Sequence, residues 1–75
     1  MTDKEEKLEI LYHKLLLTID ELLENNDPLM IAGCMMSQSL SLYRTTLSEE
    51  DYNKILDGII ERRNQVKTFT GRKLH

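Results

Sequence analysis

Nucleophilic catalysis needs a nucleophile, a base within hydrogen-bond reach and a group that orients the base. Cys34 and His13 are the one Cys–His combination within the helical part of the chain, because Cys34 is the sole cysteine and His75 the only other histidine. Cys34 stands in a long uncharged stretch, where no neighbouring cation would stabilise a thiolate. It reads as a small core residue, and no catalytic residue is assigned. Glu9 and His13, one helical turn apart, offer two arms to a metal ion. Two arms are too few, and such pairs are ordinary on a solvated helix face. The carboxylates Asp20, Glu21 and Glu24, and Glu49, Glu50 and Asp51, read as solvated faces or helix caps. Gly33, Gly58 and Gly71 are isolated, so neither a phosphate loop nor a dinucleotide fingerprint is present. No cofactor and no metal is expected.

Two groups of residues suit binding better than catalysis. At one helix end, Tyr43, Arg44, Thr45 and Thr46 combine an aromatic ring, a cation and two hydroxyls. That set suits stacking on a nucleotide-like ligand. Against it, Glu49, Glu50 and Asp51 occupy the adjacent helix N-terminus where a phosphate would sit, so a structural corner is favoured. The second group is basic: Arg62, Arg63, Lys67, Arg72 and Lys73, with Phe69 and His75 between and after them. These cations complement the negative end of a helix, and they also suit phosphates, with Phe69 stacking on a base. Residues 61–75 carry a surplus of +4 and residues 1–60 sum to −7. Five cations beside so acidic a body favour capping and solubility first, an acidic protein or nucleotide partner next, and nucleic acid least. Met30, Met35 and Met36 form a cluster read as core rather than as an adaptable binding surface.

Three helices are expected to position these groups. The first runs over about 3–25, opened by a capping box of Thr2 and Glu5. Leu8, Leu11, Tyr12, Leu15, Ile19 and Leu22 form one face, yet Ile10, Leu16, Leu17 and Leu23 lie outside it, so two neighbours are required. Asn25-Asn26-Asp27-Pro28 closes it, with an asparagine in a left-handed C-cap, Asp27 as the next N-cap and Pro28 in the first helical position. The second helix, about 28–44, has 16 uncharged residues from Pro28 through Tyr43. A helix apolar on all sides is expected to be buried on all sides, with Gln38 and the serines hydrogen-bonded in place. Gly33, Ser37 and Ser41 make a row of small side chains at four-residue steps, suited to close approach of another helix. Thr45-Thr46-Leu47 connects to a third helix over about 49–67, capped by Ser48 and striped by Tyr52, Ile55, Leu56, Ile59, Ile60, Arg63 and Val66. Gly58, off that stripe, hints at a close contact. Residues 68–75 form a basic tail.

With 75 residues the chain makes one domain, and a core of that size seldom supplies more than about 3–5 kcal/mol. A single cysteine leaves no disulfide and fits a reducing cytoplasm. No apolar run reaches the roughly 18 residues that span a bilayer, and the polar, acidic start is expected not to be a leader. No membrane partner is expected. Self-association is then the expected supplement, with Leu16, Leu23, Gly33, Ser37 and Ser41 as contacts.

The runs Asp27-Pro28-Leu29-Met30-Ile31-Ala32-Gly33, Leu42-Tyr43-Arg44-Thr45, Leu47-Ser48-Glu49-Glu50-Asp51-Tyr52 and Arg63-Asn64-Gln65-Val66-Lys67-Thr68-Phe69 resemble small uncharacterised proteins of tailed bacteriophages. The likeness covers residues 27–69 and leaves the first helix outside. It carries no catalytic motif, so no residue role transfers. It implies expression in a bacterial cytoplasm during infection and an accessory role, antagonising a host protein or sequestering a host signal. The expected fold is all-α, three helices up-down-up with the apolar helix central, assembled as a homo-oligomer. The expected function is non-enzymatic interaction, with nucleic-acid binding through the basic segment as the alternative.

Overall fold

Local capping sets the helix starts in the computed structural model, which describes residues 2–69. Helix α1 spans Asp3–Leu22, α2 Pro28–Thr46 and α3 Glu49–Glu61, followed by a single 3₁₀ turn at Arg63–Gln65. Among the described residues there is no strand. Thr2 accepts the Glu5 N–H at 3.2 Å, and Ser48 accepts the Asp51 N–H at 3.2 Å. Each hydroxyl satisfies one of the donors that a helix start leaves without a partner. Asp3, Glu5 and Glu6, and Glu49, Glu50 and Asp51, add carboxylates to the positive ends of α1 and α3. At α2, Pro28 occupies the first position and Asp27 accepts the Leu29 N–H at 3.4 Å.

The helix ends differ from expectation, each for a local reason. Helix α1 stops at Leu22 rather than near residue 25, because its last turn tightens: Glu24 and Asn25 donate to carbonyls three residues back. No left-handed asparagine is used, since no described non-glycine residue has positive φ. Instead, the Asn26 side-chain amide donates to the Leu22 carbonyl at 2.9 Å, capping the helix from outside. Helix α2 runs through Thr45 and Thr46, which return their hydroxyls to the Ser41 and Leu42 carbonyls at 2.8 Å each. Those bonds make both threonines compatible with a helix, so the connection shrinks to Leu47 and Ser48. Helix α3 gives way at Arg62, whose N–H is shared between the Gly58 and Ile59 carbonyls, and Val66 is already extended.

The chain divides into two units, and the division falls inside α2 between Ile31 and Ala32. In the first, Leu16, Ile19, Asp20 and Leu23 of α1 are half-buried, Phe69 is half-buried, and Ile31 is buried. In the second, Leu40, Tyr43 and Leu47 are half-buried, as are Tyr52, Ile55, Leu56 and Gly58. Among the described residues Ile31 is the one buried hydrophobic. Helix α2 is therefore not buried on all sides within one chain: Leu29 is 80% exposed, Met30 68% and Met36 58%. Cys34, Gln38 and the α2 serines are exposed too, so Cys34 is not a core residue and no buried polar group needs a partner among the described residues. A chain of this size has too much surface for its volume to wrap a 19-residue helix on every side. The close contact expected at Gly58 is likewise absent among the described residues, where a Cβ placed there meets nothing within 4 Å.

Candidate interaction surfaces

The residues singled out by type and spacing fall on four surfaces. The small-residue row of α2 lies open along its length: Gly33, Ser37 and Ser41 are all exposed, and a Cβ at Gly33 would meet nothing within 4 Å. Nothing among the described residues uses the close approach that this row permits. Leu16 and Leu23, the other residues expected at a subunit contact, are half-covered already.

At the α2–α3 corner the polar groups are turned inward on their own backbone. Thr45 and Thr46 donate to α2 carbonyls. Arg44 lays its guanidinium carbon 5.1 Å from the centroid of the Tyr52 ring. Tyr43 is half-buried, while Arg44 and Thr45 are exposed. A cation over an aromatic face at this distance is attracted by the ring quadrupole. The aromatic partner of Arg44 is thus a residue of α3, one turn after Ser48, and residue type alone did not connect the two. The signal lies in the spacing, eight residues across a two-residue connection.

Beyond α3, Arg62 and Arg63 are exposed, as is Lys67, and none of the three makes an ion pair among the described residues. Arg62 and Arg63 flank the last carbonyls of α3, the position where cations offset the helix dipole. Phe69 is half-buried, so its ring is not fully free for stacking. Arg72, Lys73 and His75 lie outside the described residues.

The fourth surface is on α1 and comprises most of the face marked out by helical spacing, which the described residues leave open rather than cover. Leu8, Leu11, Leu15 and Leu22 are 66%, 54%, 50% and 42% exposed. They sit at spacings of three, four and seven, beside rather than on the half-buried stripe of Leu16, Ile19 and Leu23. Glu9 and His13 border a depression on this helix with Leu8 and Tyr12. Among the described residues, no three His, Cys, Asp or Glu side chains come together as metal ligands would.

The sequence matches no protein-family model, no curated protein and no solved structure. The class that can be stated is an all-helical protein of three helices, of which none among the described residues is long and apolar enough to cross a membrane.

Proposed function

We propose that this chain is a non-enzymatic interaction module that completes its core by associating with further copies of itself. The assembled form binds and blocks a macromolecule, or sequesters a small signal. One observation carries the reading: among the described residues a single hydrophobic side chain is buried, while leucines along α1 and methionines along α2 stand in water. Burying a leucine or methionine side chain is worth about 1.5–3 kcal/mol. Half-exposed leucines therefore leave, in aggregate, more unrealised stabilisation than the roughly 3–5 kcal/mol a small core supplies. In the assembly the three helices run up-down-up with α2 central, the short connections favouring antiparallel neighbours. The resemblance to small phage proteins adds a setting, the cytoplasm of an infected bacterium, and a host component as the target.

Native mass spectrometry of the protein isolated from a bacterial cell tests this, because one spectrum reports both subunit count and any retained ligand. An oligomer is expected. A compact, well-folded single subunit at high concentration overturns the reading, and turnover of a substrate in a broad hydrolase screen overturns its non-enzymatic part.

A second reading has its own support. Arg62, Arg63 and Lys67 are exposed cations without ion pairs among the described residues, a disposition suited to nucleic-acid phosphates.

A further inference from the structure

The leucines left open on α1 follow the pattern of a helix seam. Leu8, Leu15 and Leu22 repeat every seven residues, and Leu11 stands four residues before Leu15, so they fill the two inward positions of a heptad. The remaining inward position between them is Thr18. Its hydroxyl already donates to the Lys14 carbonyl at 2.9 Å, so covering it leaves no orphaned donor. At about 100° per residue, this seam is rotated roughly 100° from the half-buried stripe of Leu16, Ile19 and Leu23. What the chain covers for itself and what it leaves open are thus separate faces of one helix. Ile10 and Leu17, also exposed, lie on neither.

The charges beside the seam select its occupant. One flank carries Lys7, Lys14 and Glu21, each one residue before a seam leucine. All three are exposed, and neither Lys7 nor Glu21 has an ion pair among the described residues. When two such helices pair in parallel, this flank faces the opposite flank of the partner, Glu5, Tyr12 and Ile19, where Lys7 and Lys14 come to lie against Tyr12 and Ile19 rather than a carboxylate. When they pair antiparallel, like flanks face each other. Lys7 then meets Glu21 twice by symmetry, with Lys14 opposite its twin near the axis as the one repulsive pair.

We infer that α1 docks on α1 of a second copy, antiparallel, through Leu8, Leu11, Leu15 and Leu22, with Lys7 of each copy beside Glu21 of the other. The inference rests on the self-association reading and specifies its contact. Helix α1 has 20 residues, about 30 Å of seam. The open leucines with Tyr12 bury on the order of 1,000 Å² from both copies together, the low end of specific interfaces, so the pair forms reversibly.

Sedimentation equilibrium of the full chain at low salt provides the test. Lys7→Glu and Glu21→Lys each create like-charge pairs, and each should raise the dissociation constant roughly tenfold. The double exchange should return it to within about threefold of the parent, since the attraction is rebuilt with signs reversed. Leu15→Glu should give a single subunit with unchanged helical circular dichroism, because Leu15 is exposed in the lone chain. If the parent associates but the single exchanges leave it unchanged, or the double variant is no better than the singles, the α1 seam is wrong while self-association stands. A parent that stays a single subunit overturns both.

Discussion

The guanidinium carbon of Arg44 lies 5.1 Å from the centre of the Tyr52 ring, linking the last turn of α2 to the first turn of α3. An exposed cation–π pair is worth about 0.5–1 kcal/mol. In a double-mutant cycle of Arg44→Ala and Tyr52→Leu, read by urea denaturation, a coupling of that size is expected. A coupling indistinguishable from zero means the pair does not hold the corner. The same Arg44→Ala variant probes the corner as a nucleotide site. Thermal stabilisation by a nucleotide should vanish in it while the oligomer persists, and no shift of the parent across a nucleotide panel counts against a ligand there.

Ser48 is the only side chain that caps α3 among the described residues, through the Asp51 N–H. Ser48→Ala should destabilise by about 1 kcal/mol, and Ser48→Asp should retain most of the stability. Denaturation midpoints of the two variants separate removal of the cap from any general effect of the position.

Glycines at 58 and 33 sit in helix interiors with open space where a Cβ would go. Gly58→Ala should therefore stabilise the chain by about 0.5–1 kcal/mol. Gly33→Ala should do the same at low protein concentration. If Gly33, Ser37 and Ser41 form a tight contact between copies, Gly33→Leu will instead weaken association, which a dilution series of the oligomer would reveal.

Nucleic-acid binding through the basic segment makes a sharp electrostatic forecast. Affinity for a single-stranded oligonucleotide should fall steeply with salt. Replacing Arg62, Arg63 and Lys67 by alanine should flatten that slope by about 0.7 for each phosphate that is no longer neutralised. Deleting residues 68–75 should abolish binding on this reading. Undiminished binding by the truncated chain rules it out.

Much of the local structure was legible in the residues themselves. Thr2, Pro28 and Ser48 mark helix starts because a cap involves donors and acceptors within one turn, and those neighbours are adjacent in sequence. The ends were less legible. Whether Thr45 and Thr46 extend α2 depends on which rotamer returns each hydroxyl to the preceding turn, and residue type alone leaves that choice open. Tertiary structure alone decided which apolar residues are covered. The pattern of α2 calls for burial in any direction, yet burial is supplied by segments distant in sequence, and one 75-residue copy covers Ile31 while leaving Leu29, Met30 and Met36 in water. On α1, Leu15 and Leu16 are neighbours of identical chemistry. Their different exposure arises because successive helical residues point about 100° apart, and only the three-dimensional neighbours distinguish the two directions.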